Sequence, residues 1–160
     1  MCGATIDVEE AGRLSNRYRA YYQELRRPVP GAPALLRRLH ERAQVGIITN
    51  NQVAEQQEKL IFLGLDGLVD FLVISEAVGV SKPDPAIFRA ALDRAGATAK
   101  EAVMLGDSWE NDVVGAHGVG IRPIWFNRFA RPRPSPLAVA ELRSFRAPRR
   151  VETLLGFSRP

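Results

Sequence analysis

Three short segments of the chain hold side chains with chemistry to offer. In Gly106-Asp107-Ser108-Trp109-Glu110-Asn111-Asp112, two carboxylates stand five positions apart where an apolar run gives way to a polar one. An acid at a strand end and a second one near the first turns of the following helix can face one cavity. Paired carboxylates with open positions suit Mg²⁺, a hard cation that takes oxygen ligands and keeps several waters. Asp107 and Asp112 are therefore the candidate metal ligands; the plainer alternative is that Asp107 or Ser108 caps the helix and Asp112 is a solvated acid. In Ser81-Lys82-Pro83-Asp84, a lysine sits in a loop opened by Gly79 and closed by Pro83, where it offers a fixed positive charge to a phosphoryl group. Thr49-Asn50 adds a hydroxyl and backbone N–H groups for the same oxygens. Thr49 and Lys82 are the candidate catalytic residues, and Thr49, Asn50 and Lys82 the candidate phosphate-binding set. A lone loop lysine or strand-end threonine is more often merely solvated, so these residues can act together only if the fold brings the three segments to one place.

Asp7 followed by Glu10 reads as a capping-box-like helix start, after which Ala11, Leu14, Tyr18, Tyr21, Tyr22 and Leu25 recur at helical spacing. The turn-rich run Pro28 to Pro33 precedes a second helix, Ala34 to Arg42, with Leu35, Leu36 and Leu39 on one face. Val45 to Thr49 is a short apolar run suited to a strand buried on both faces. Helix from Val53 to Leu63, stopped by Gly64, leads to a strand at Phe71 to Ser75. Pro85 to Ala95 reads as a helix ended by Gly96, Ala102 to Leu105 as a strand, Trp109 to His117 as a short helix and Ile121 to Phe126 as a further strand. Strands alternating with helices imply right-handed crossovers and a doubly wound parallel α/β sheet. Thr49, Lys82 and Asp107 then all lie beyond carboxyl ends of strands, where open α/β sheets bind their ligands.

The ordered set of an apolar run ending in Thr49-Asn50, then Ser-Lys-Pro-Asp-Pro from Ser81 to Pro85 with Phe88 following, then an apolar run entering Gly106-Asp107-Ser108 with Asn111-Asp112, resembles the second, third and fourth motifs of the haloacid dehalogenase-like superfamily. The likeness runs from about Pro28 to Phe126 and more weakly to Leu155. It implies an α/β fold with a Rossmann-like parallel sheet and helices on both faces. By that resemblance Thr49 hydrogen-bonds the transferring phosphoryl group, Lys82 neutralises it, Asp107 ligates Mg²⁺, and Asp112 completes the metal site directly or through water. The superfamily's dehalogenase branch does not need the metal, so the intact acidic motif implies the phosphatase branch, with a small phosphate ester as substrate.

Members of that superfamily begin with an apolar strand ending in Asp-x-Asp, whose first aspartate attacks phosphorus, and this strand is central, between those carrying the threonine and the metal-binding acid. No such segment precedes Thr49 here; Ala4 to Glu9 holds an Asp-x-Glu, but helix capping explains Asp7. The expectation is a truncated chain, inactive alone, with residues 1–27 a remnant of the helical cap, 28–128 the α/β core, and 129–160 a basic Pro/Arg-rich linker with a short closing helix. Neighbouring strands are about 4.8 Å apart, so a missing central strand leaves a slot of roughly twice that width. Such a chain closes its sheet directly, borrows a strand from a second copy or another partner, or is only marginally stable. A non-catalytic interaction protein that uses the exposed edge is the alternative reading.

Composition narrows the classes further. The 160 residues are 46% hydrophobic and 25% charged, which fits one globular domain with a sizeable core. A single cysteine, Cys2, excludes an internal disulfide, and no run has the form of a signal peptide or membrane span, so a cytoplasmic protein without membrane contact is expected. The net charge of +4 comes from the tail, where residues 122–160 carry nine arginines against Glu141 and Glu152. Arg128, Arg131 and Arg133 match no nucleic-acid motif, and nucleic acid is not expected as a partner. His40 and His117 lack metal-ligand or triad spacing, while Trp109, Trp125 and Phe129 are read as core aromatics.

Overall fold

The computed structural model describes residues 7–157. Helix α1 (Val8–Glu24) starts at Asp7, whose carboxylate accepts the Glu9 N–H at 2.6 Å, so the side chain is spent as a cap. Leu14, Tyr18, Tyr21 and Leu25 of its apolar stripe face solvent. The helix is tied down at its end by the buried Arg26, which lies over the Tyr22 ring and pairs with Glu55 and Glu58 at 3.4 Å each. Then follow α2 (Ala32–His40), β1 (Gly46–Thr49), α3 (Val53–Phe62), β2 (Phe71–Ile74), the one-turn α4 (Ser75–Val78), α5 (Pro85–Ala95) and β3 (Val103–Gly106). A wide π-type turn (Trp109–Val114) runs into α6 (Gly115–Gly118), followed by β4 (Arg122–Phe126), β5 (Ala140–Leu142) and α7 (Pro148–Leu155).

All strand pairs are parallel, as an α/β alternation requires. They form two sheets: β1 with β2, and β3, β4 and β5 in that order. Among the described residues β1 and β3 do not pair, so the sheet is not closed directly, and each of these two strands keeps an edge without a strand partner. The consequence is visible in burial. Ile47, Ile48, Val103, Met104 and Leu105 belong to apolar runs fit for a strand covered on every side, yet all stay partly exposed, whereas Pro123 to Phe126 of β4, flanked by strands on both edges, are buried.

One apolar cluster joins the two sheets. Ile87, Phe88 and Ala91 of α5 and Ala116 of α6 pack against Val73, Ile48 and Phe71 on one side and Met104 and Ile121 on the other. The opposite face of the three-stranded sheet is covered by α2 and α7, through Leu35 and Val151 against Ile124, Phe126 and Leu142. Val103 and Leu105 turn to the α2 and α7 side and Met104 to the α5 side, the period of two expected of a strand. β5 is an element that the sequence reading did not contain: three residues, pairing with Ile124 to Phe126, after the exposed run Arg131 to Pro134. Among the described residues no helix is long and apolar enough to cross a membrane.

Candidate active site

The carboxyl ends of β1 and β3 meet across the division through Lys82. Its ammonium donates to the Ile48 carbonyl at the end of β1 at 2.9 Å and to Asp112 Oδ1 at 2.6 Å. Both side chains are largely withdrawn from water, at 11% exposure for Lys82 and 6% for Asp112. A buried ion pair of this kind persists only with its remaining polar atoms satisfied. Asp112 meets that condition, because its Oδ2 accepts the Ser108 N–H at 2.9 Å.

The wide turn delivers Asp112 to this position. Ser108 caps it, its hydroxyl accepting the Asn111 N–H at 3.3 Å, and the Val113 N–H bonds back to the Ser108 carbonyl at 3.2 Å. That extra residue per turn swings Asp112 inward over Gly106. A Cβ on Gly106 would overlap the Asp112 carboxylate, so only glycine admits the close approach at this strand end. Trp109 and Trp125 pack edge to face beneath the turn, centroids 5.0 Å apart, and the Trp125 indole N–H donates to the Asp107 carbonyl at 3.2 Å. Asp107 itself is exposed and its carboxylate pairs with nothing among the described residues.

Asn50 lies beside Lys82 but has a different engagement. Its Nδ2 donates to the Lys82 carbonyl at 2.9 Å and its Oδ1 accepts the Lys82 N–H at 2.7 Å, so the amide clamps the lysine loop to the end of β1. Thr49, the last residue of β1, is partly buried, and its hydroxyl makes no hydrogen bond among the described residues. Thr49, Lys82, Asp107 and Asp112 are thus gathered at the carboxyl ends of the two central strands, with Asn50 as a fastener of the loop. Asn51 and Ser75 were not singled out from the sequence; the Ser75 hydroxyl bridges both the N–H and the C=O of Asn51 and holds the segment after β1 against the end of β2.

Among the described residues no three His, Cys, Asp or Glu side chains converge as a closed metal cage. The donor chemistry instead fits the sparse mode of Mg²⁺, which is held by one or two carboxylates while waters and substrate phosphate complete the shell. Asp107, with both oxygens free at the strand end, suits a direct ligand; Asp112, with both oxygens already engaged, suits contact through water.

Similarity to known proteins supports the fold and gives the family. The family of haloacid dehalogenase-like hydrolases matches residues 3–120. The pyrimidine 5'-nucleotidase YjjG of Escherichia coli is 40% identical over 130 residues, covering 81% of this chain and 58% of that protein. The phosphoserine phosphatase of Thermus thermophilus is 39% identical over 143 residues, 85% of this chain and 57% of that protein. This chain therefore spans less than two thirds of the length of either relative. Among solved structures, that of a HAD phosphatase from Thermococcus onnurineus superposes with a TM-score of 0.73 at 32% identity, over 82% of this chain and 59% of that one. With three motifs gathered at adjoining strand ends and a family match across most of its length, the chain belongs to the haloacid dehalogenase-like hydrolases.

Proposed function

We propose that these residues form the phosphoryl-handling part of a Mg²⁺-dependent phosphatase acting on small phosphate esters, completed by an extended strand seated between β1 and β3. The observation that carries the reading is the Lys82 ammonium bound at once to the end of β1 and to Asp112, a fixed cation at the mouth of the division. A phosphoryl group placed there meets the positive charge of Lys82 and the free hydroxyl of Thr49, which bind and orient its oxygens. These groups are preorganised, so little reorganisation accompanies the growth of charge in transfer. Asn50 and Asp112 keep the lysine in place, and Asp107 would hold the metal with Asp112 acting through water. Mg²⁺ bound there supplies charge neutralisation on the phosphate oxygens.

The chemistry also needs an acceptor atom for the phosphoryl group. Asp7 is committed to capping α1, and Asp112 is committed to Lys82 and Ser108. A strand in the slot would bring a carboxylate between Thr49 and Asp107, as the family resemblance implies. Its backbone would pair with the open edges of β1 and β3. The same edges support a second reading, a binding protein that captures an extended segment of another chain or of a second copy without turnover.

The test is hydrolysis of 4-nitrophenyl phosphate with Mg²⁺ by the 160-residue chain, alone and with a synthetic apolar peptide ending in Asp-x-Asp. Turnover that appears only with peptide and vanishes in Asp107→Asn supports the phosphatase reading. Peptide binding without turnover favours the interaction protein, and turnover by the unaided chain that survives Asp107→Asn overturns the assignment of the site.

A further inference from the structure

The carboxyl end of β4 carries a basic and aromatic cluster that phosphoryl handling leaves unused. Asn127, 3% exposed, is its root. The Asn127 side chain accepts the Arg131 N–H at 2.9 Å and donates to the Arg131 carbonyl at 2.9 Å and to Glu141 Oε1 at 3.2 Å, while its own carbonyl accepts the Ala130 N–H at 3.2 Å. The turn so closed places Ala130 at φ 51°, a left-handed conformation that a residue with a Cβ seldom adopts. Backbone strain persists where surrounding bonds over-determine it, and it gathers at ligand clamps and functional loops.

What the strained turn achieves is display. Phe129 stays 65% exposed, with the guanidinium carbons of Arg128 and Arg131 at 4.7 and 5.5 Å from its ring centroid. Neither guanidinium meets a carboxylate among the described residues. Guanidinium groups without a carboxylate partner keep their N–H donors free for charge-assisted hydrogen bonds to an incoming anion.

The cluster lies at the same, carboxyl, ends of the strands as the phosphoryl site. β4 is the neighbour of β3, and Trp125 of β4 donates to the Asp107 carbonyl. Further along the loop, Arg133 lies over the Trp109 ring at 5.6 Å and donates to the Leu137 and Val139 carbonyls, which straps the loop across the turn that follows Asp107. We propose that Arg128 and Arg131, displayed on Phe129, bind a second anionic group of the substrate, remote from the phosphoryl group at Lys82, and so select doubly anionic phosphate esters. The proposal rests on the phosphatase reading above for the first of the two anions.

The experiment compares binding of fructose 1,6-bisphosphate and fructose 6-phosphate, by calorimetry with Mg²⁺, to the full chain, to Arg128→Gln/Arg131→Gln and to Lys82→Ala. The expected result is a preference for the bisphosphate of at least about tenfold, the scale of one lost charged hydrogen bond. It collapses in the double arginine variant while the monophosphate affinity holds. Lys82→Ala should weaken both ligands together and keep their ratio; if both affinities are unchanged in Lys82→Ala, the phosphoryl site is wrong. A wild-type chain without the preference, or a preference that survives the arginine changes, overturns the clamp and leaves the phosphoryl site standing. No binding of either ligand overturns both. A single-stranded oligonucleotide that binds more tightly than the bisphosphate, and is lost in the same arginine variant, would reassign the pair to nucleic acid and also overturn the proposal.

Discussion

Lys82 has two tasks at once, since the bond that fixes its charge for a ligand is also the bond that neutralises buried Asp112. Removing one member of such a pair leaves an uncompensated charge, which costs about 3–5 kcal/mol, while removing both costs much less. Chemical denaturation of Lys82→Ala, Asp112→Ala and the double variant should therefore show each single change to be more destabilising than the double; additive losses would mean the pair carries no coupling. At this scale the sequence was legible where chemistry dictates residue type. Thr49, Lys82, Asp107 and Asp112 are found at one place, each at a strand end or in the turn just beyond. Asn50 was read as a phosphate-binding residue, but spacing says nothing of direction, and its amide faces the lysine loop's backbone. Phe129 was read as core, and the residue that decides its exposure is the neighbouring Ala130, whose backbone angle no side-chain pattern reveals.

Helices and strands with strong periodicity or clear stops were recovered from the sequence within a residue or two, as with α5, opened by Asp84 and Pro85 and closed by Gly96 in a left-handed conformation. β5 was not, because three residues lie below the length at which alternation can be read and the preceding run is rich in proline. Nor was the widened turn at Trp109, since an inserted residue alters hydrogen bonding without altering composition. The closing helix α7 shows how an element of low apolar content is secured. Arg38 of α2 donates from Nε and Nη2 to both oxygens of Glu152, at 2.6 and 2.9 Å. Hydrogen bonding from that guanidinium, reinforced by its charge, holds the Glu152 carboxyl below its ordinary value. A group depressed on folding contributes stability above its unfolded pKa and loses it as pH falls through the folded one. The urea midpoint should therefore decline from just below the usual glutamate range downward, and Glu152→Gln should lower the midpoint at neutral pH and flatten part of that acid decline; an identical acid limb in the variant would refute the linkage.

The whole molecule is an α/β assembly in two parts; alternation in the sequence predicted the parts, and the family's strand order, not any residue of this chain, predicted the slot between them. The division follows from pairing partners, a property of what lies between β1 and β3, so no single residue announces it. Among the described residues the amides that face the division lack a ladder acceptor, and local opening there requires little loss of burial. Hydrogen exchange followed by NMR should find Gly46 to Thr49 and Val103 to Gly106 with alternate fast amides, and Ile124 to Phe126 of β4 among the slowest. Uniform protection across β1 and β3 would show the division filled in solution.

The apolar cluster on α5 touches both sheets, so the two are joined like the leaves of a book along that helix. On the opposite face α2 reaches both leaves as well, packing Leu35 on the β4 side and bringing His40 to 3.5 Å from Asp70 beside β2. Lys82 then acts as the clasp. Its bonds to Ile48 and Asp112 span the two leaves at their upper edge. The spacing that an inserted strand would set is therefore the same spacing that decides whether the lysine reaches both partners.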